Sequence, residues 1–198
     1  AASPPRAWQR MLSGRRLDLL DPSPLDVEIE DVAHGLARVA RWNGQTLGEH
    51  IFSVAQHSLL VEAIAQGLRS ELPARAALVI LLHDAAEYVI GDMISPLKAV
   101  LDQGYKAVEA RILTAVMLRV GLPATPGRDV AALAKAADTV AAYHEAIRLA
   151  GFAEAEAARI FGAPPRLAVD LAPYLVPCSA GEAKRRFLDR YETLLVQC

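Results

Sequence analysis

Alanine and leucine dominate this chain, and runs that alternate apolar with polar residues are scarce. A half-buried strand needs period-two alternation, whereas apolar residues three and four apart line one face of a helix. The pattern therefore predicts an all-α protein. Asp31 to Arg41 carries Val32, Leu36, Val39 and Ala40 at helical spacing and ends on the turn signal Asn43-Gly44. Ser53 is placed to cap a helix from Val54 to Leu68. Pro73 suits the first turn of a helix that runs to about Ile90, where Gly91-Asp92 breaks it. Long helices follow at about Leu101 to Val120 and Asp129 to Ala150, then a shorter one before Ala163-Pro164-Pro165. A last helix, Gly181 to Val196, is capped by Ser179. The segment Leu17 to Asp26 reads as an irregular lead-in, followed by a short strand at Val27 to Ile29.

At 198 residues the chain can build one domain with a sizeable core. No linker, repeat or low-complexity tract divides it, so it reads as a single domain over 1–198. Within that domain 1–30 is a lead-in, about 31–150 a motif-bearing core, and 151–198 a set of C-terminal helices. A content of 53% hydrophobic and 22% charged residues is globular. The net charge of -2, with no long run of one sign, argues against a binder of polymeric nucleic acid, which would carry a basic face. No stretch reaches the ~18 apolar residues needed to span a bilayer, and no membrane association is expected. Cys178 and Cys198 lack a disulfide framework and read as free thiols in a reducing, cytoplasmic setting. The apolar helix Leu101 to Val120 and the tail helix offer surface for a homodimer.

Chemistry concentrates in four side chains that read as helical: His57, the adjacent pair His83-Asp84, and Asp138. Two imidazoles and two carboxylates form a mixed N/O donor set that suits a catalytic divalent ion better than a closed structural one. His83-Asp84 ends the apolar run 76–82, where an unpaired titratable group is costly to bury. Glu87 lies four residues after His83 and three after Asp84, which on a continuous helix sets it over the same face. There it can serve as a general acid/base. A lone histidine on an amphipathic helix is more often a hydrogen-bonded core residue, so spacing alone leaves a metal centre and a structural pair both open.

The ordered set His57, His83-Asp84 and Asp138 resembles the signature of the HD-domain phosphohydrolase superfamily. The flanks sharpen the likeness. Arg41-Trp42, the stretch Ser53-Val-Ala-Gln-His57-Ser58, His83-Asp84-Ala-Ala-Glu87, Gly91-Asp92, Pro96-Leu-Lys98 and Ala137-Asp138 are together similar to the bacterial HD-domain 5'-deoxynucleotidases. The likeness covers about residues 35 to 150. It implies an HD-domain helical bundle holding one divalent ion (Mn, Co, Fe, Ni, Zn or Mg) on His57, His83, Asp84 and Asp138. It further implies that Glu87 handles protons, that Arg41 and Trp42 line the substrate pocket, and that Asp92 reaches the sugar of a nucleotide. Arg41 is a fork of donors suited to phosphate, and Lys98 offers a second phosphate contact. One departure stands out: Gln56 occupies a position where many relatives carry Glu, and Gln cannot act as a base. His50, seven residues before His57, reads as a surface-turn residue, His34 and His144 read as structural, and Glu145 can face the pocket from two turns after Asp138.

Three readings follow. The first is removal of the 5'-phosphate from deoxyribonucleoside 5'-monophosphates. The second keeps the metal and hydrolyses deoxynucleoside triphosphates; it calls for extra Lys or Arg near the ion, where only Arg41, Lys98 and Arg38 are evident. The third is a nucleotide-binding regulatory HD domain without catalysis, whose mark would be loss of a ligand or of Glu87.

Overall fold

In the computed structural model residues 6–94, 97 and 103–198 are described. Their fold is all-α apart from one small antiparallel hairpin. Strand β1 (Trp8–Arg10) pairs with β2 (Arg16–Asp18), Gln9 opposite Leu17. Three-residue strands are too short for a readable period, so the sequence places none there. The expected strand at Val27 to Ile29 does not form. Val27 ends a 3-10 turn over Pro24–Asp26, and Ile29 already begins helix α1 (Ile29–Leu36). Helix α1 is also shorter than expected, since the chain leaves it at Ala37 and enters a 3-10 turn at Arg41–Gly44.

Helix α2 (Val54–Leu68) is the axis of the molecule. It starts where the capping signal sets it, with Ser53 Oγ accepting from the Gln56 N–H at 3.3 Å. Every residue from Val54 to Ala65 is buried. That is possible because helix α3 (Ala74–Leu81), helix α6 (Arg128–Arg148) and helix α8 (Ala180–Val196) pack around it. Full burial of side chains such as Leu60 and Ile64 contributes roughly 1.5–3 kcal/mol each. Helix α4 (Glu87–Ile90) lies on α1, helix α5 (Gln103–Arg119) extends the main core, and helix α7 (Glu154–Phe161) packs on α6. The close approach of α1 to α4 needs Gly35: a Cβ there would meet the Tyr88 carbonyl oxygen at 2.5 Å.

The C-terminal segment, outside the motif region, is tied to α2 by polar contacts. Gln56 donates Nε2 to the Val176 carbonyl at 2.8 Å and accepts the Cys178 N–H at 3.2 Å. A carboxylate can do only the second, so the departure from Glu at this position has a structural reason. Arg190 closes a two-pronged pair with buried Glu62, at 3.0 and 2.7 Å. Cys178 and Cys198 are unpaired. No helix of the described residues is long and apolar enough to cross a membrane.

The expected single helix from Pro73 to Ile90 is in fact two. Helix α3 stops at Leu81, a turn runs over 82–86, and α4 begins at Glu87. The Ile80 carbonyl explains the break. In a continuous helix it would accept from the Asp84 N–H; here it takes the His83 N–H at 3.2 Å and the His83 imidazole at 2.8 Å. A side chain that captures a backbone acceptor competes with the helix ladder. His83 and Asp84 therefore sit in a turn that can aim both inward, which two neighbours on one helix, about 100° apart, could not do as readily.

Candidate metal centre

Three elements meet at one point. His57 comes from the first turns of α2, His83 and Asp84 from the turn between α3 and α4, and Asp138 from the middle of α6. His57 Nε2 stands 3.4 Å from Asp84 Oδ2 and 3.4 Å from Asp138 Oδ1, and His83 Nε2 stands 3.2 Å from Asp84 Oδ2. The ligand atoms of His57, His83 and Asp138 all lie within 4.8 Å of one another. The imidazole rings are 5.4 Å apart.

The tautomers follow from the partners. His57 Nδ1 is 2.5 Å from Glu145 Oε1, and His83 Nδ1 is 2.8 Å from the Ile80 carbonyl. A carboxylate and a carbonyl only accept, so in both rings Nδ1 carries the donated proton. Nε2 is then the atom that each ring turns to the cluster, and both Nε2 atoms are buried without a hydrogen-bond partner. This is the arrangement by which an outer hydrogen bond orients a metal-binding histidine. Ligand distances of about 2.0–2.2 Å set neighbouring ligand atoms roughly 3–3.5 Å apart around one ion, the range of the three histidine–carboxylate distances above. The donor set fits a divalent cation.

The electrostatics agree. Burial and nearby Arg41 both lower the pKa of His57, but Glu145, Asp138 and Asp84 outweigh them and raise it well above the usual histidine range. Burial raises Asp84, yet His83 and His57 bring it well below the carboxylate range. Asp138 is likewise raised by burial and lowered further by His57. The pocket thus holds positive charge: a proton on His57 Nε2, or a metal ion that displaces that proton.

Behind His57 lies a second layer. Glu145, wholly buried on α6, accepts from His57 through Oε1, and through Oε2 from Trp42 Nε1 at 2.8 Å and Arg41 Nη2 at 3.4 Å. Arg41 also donates Nη1 to Asp92 at 3.0 Å. Burial lowers the Arg41 pKa, but Glu145 and Asp92 overcome it and secure the charge. Trp42 and Asn43 both take left-handed backbone angles, φ 57° and 52°, which cost about 1–3 kcal/mol each in non-glycine residues. The Trp42 ring is held against Phe152 at 5.7 Å and Phe161 at 6.2 Å.

On the open side is a cleft of about 410 Å³. Its lining includes His83, Asp84, Asp138 and Glu87, with Lys106 and Glu109 from α5 and Lys135 from α6. Glu87 is only 2% exposed, at the start of α4 rather than one turn along a continuous helix. Arg41, Trp42 and Asp92 are not in this lining. Lys98 lies outside the described residues. His50 is exposed in the 47–50 bend. Sequence reasoning missed Lys106 and Lys135, which only the packing of α5 and α6 brings to the cleft; the spacing of Lys135, one turn before Asp138, was the sole local signal.

The family model for 5'-deoxynucleotidase YfbR-like proteins matches residues 32–156. An uncharacterized protein of Rhodobacter capsulatus is 56% identical over 191 residues, 96% of each chain. The uncharacterized protein YfdR of Escherichia coli K12 is 34% identical over 98 residues, 50% of this chain and 49% of that protein.

Proposed function

Because the chain belongs to the 5'-deoxynucleotidase YfbR-like family, we propose that it is a metal-dependent phosphohydrolase that removes the 5'-phosphate from deoxyribonucleoside 5'-monophosphates. The observation that carries the reading is the convergence of His57, His83 and Asp138 within 4.8 Å beside an open cleft. His57, His83, Asp84 and Asp138 hold the ion, and Glu145 and the Ile80 carbonyl keep the two imidazoles in the tautomer that binds it. A divalent cation supplies Lewis acidity there: it acidifies water and offsets charge on a phosphoryl group.

Glu87 handles the protons. Its buried carboxylate borders the cleft, takes a proton from the attacking water, and returns one to the 5'-oxygen as the P–O bond breaks. The products are deoxynucleoside and inorganic phosphate. Arg41 adds positive charge behind the cluster while anchored to Asp92 and Glu145.

A second reading, hydrolysis of deoxynucleoside triphosphates, draws on Lys106 and Lys135. Both border the cleft and add the cations that a longer phosphate chain needs. One panel separates the two: deoxynucleoside mono- and triphosphates with Mn²⁺, Co²⁺ or Mg²⁺, with and without chelator, following inorganic phosphate and triphosphate release. Phosphate from monophosphates supports the first reading and triphosphate release the second. Hydrolysis that survives chelation, or that persists in His83→Ala, contradicts both.

A further inference from the structure

We propose that Lys106 and Lys135 form a phosphate cradle across the cleft and make the direct contacts with the substrate phosphate. The proposal rests on the phosphohydrolase reading and names residues that the motif set does not include.

Arg41, the expected phosphate ligand, points one terminal nitrogen at Asp92, 3.0 Å away, and the other at Glu145, 3.4 Å away, and only its Nε is left without a partner. Its side chain is only 14% exposed and does not border the cleft. Among the described residues, the cations that do border it are Lys106 on α5 and Lys135 on α6, which line the same 410 Å³ space. His83, Asp84 and Asp138 line the same space.

Charge balance then decides what the lysines do. Two carboxylates facing a divalent ion leave the ligand cluster close to neutral, with the histidines uncharged. A phosphate monoester arrives as a dianion, and two ammonium groups match it. Lys135 currently sits 2.9 Å from Asp138 Oδ2, the carboxylate whose Oδ1 faces His57. Once Asp138 shares its charge with a metal ion, its hold on Lys135 weakens. A flexible four-carbon stem, 78% exposed, lets the ammonium turn toward an incoming phosphate. Lys106, also exposed, borders the same cleft from α5. Glu109, one turn after Lys106, subtracts from this field, so the two lysines are tested separately.

The experiment is calorimetric titration of inorganic phosphate into the full chain loaded with Mn²⁺, for wild type, Lys106→Ala, Lys135→Ala and Lys135→Arg. Both lysines are exposed, so the variants fold. Loss of a charge-assisted hydrogen bond weakens phosphate binding about tenfold in each alanine variant, and Lys135→Arg recovers most of the loss. Mn²⁺ affinity in Lys135→Ala is unchanged or tighter, because Asp138 loses a competing cation. Phosphate binding that is unchanged in both alanine variants, or absent in wild type, overturns the cradle. So does a Lys135→Ala variant whose only defect is weaker Mn²⁺ binding. Wild-type hydrolysis of monophosphates separates the two claims. Hydrolysis with unaltered phosphate binding in the variants removes the cradle alone, and weakened binding without hydrolysis removes the proposed reaction alone.

Discussion

Replacing Glu145 with Gln tests the buried layer that orients His57. The carboxylate is wholly buried and serves three donors, on His57, Trp42 and Arg41. Gln keeps the shape but turns one acceptor into a donor, which then faces another donor. Burial raises the Glu145 pKa, while His57 and Arg41 overcome that and bring it down to about 2 from an ordinary 4.5. That gap corresponds to about 3 kcal/mol, at the lower edge of the roughly 3–5 kcal/mol expected when one partner of a buried ion pair is removed. For a chain of this size the unfolding midpoint of the metal-free protein falls by roughly 6–12 °C at pH 7. The pH dependence has a definite sign. A depressed carboxylate pKa contributes stability above the unfolded value near 4.5, and that stability is lost as the pH falls toward 2. The gap between wild type and Glu145→Gln therefore closes on acidification. Thermal unfolding monitored by circular dichroism between pH 3 and 7, with the exposed Glu192→Gln as control, reads both effects. Midpoints within about 1 °C at pH 7, or a gap that widens in acid, refute the reasoning.

Other substitutions probe neighbouring parts of the account. Gly35→Ala drives a methyl group into the Tyr88 backbone and costs about 1–3 kcal/mol by overpacking, read as a lower midpoint in thermal or urea unfolding. Ser53→Ala removes the α2 cap and costs about 1 kcal/mol in the same assay. Glu87→Gln lowers kcat by roughly 10²–10⁴ while divalent-ion affinity by calorimetry is retained, which distinguishes proton transfer from metal binding. Asp84→Ala abolishes both ion binding and hydrolysis; retained hydrolysis would remove Asp84 from the site.

Much of the architecture was readable from local rules. Helix α2 begins and ends where Ser53 and the apolar spacing place it, because capping and periodicity are properties of nearby residues. The break after Leu81 was not readable. The apolar run continues through Leu82, and Ala85-Ala86 are good helix formers; the interruption comes from His83 capturing the Ile80 carbonyl, a choice made in the folded context. The ordered motifs nominated His57, His83, Asp84 and Asp138, and packing brings them to one point. Spacing gave no sign that Arg41, Asp92 and Glu145, far apart in sequence, would pair with one another. Lys106 escaped notice for the same reason, since a lone lysine on a long helix carries no local mark of the cleft it borders.

The most direct test of the central claim is anomalous diffraction from crystals soaked in Mn²⁺. The account predicts one strong peak per chain, within bonding distance of His57 Nε2, His83 Nε2 and the Asp84 and Asp138 carboxylates. A peak elsewhere, or no peak among these four side chains at saturating Mn²⁺, would contradict it.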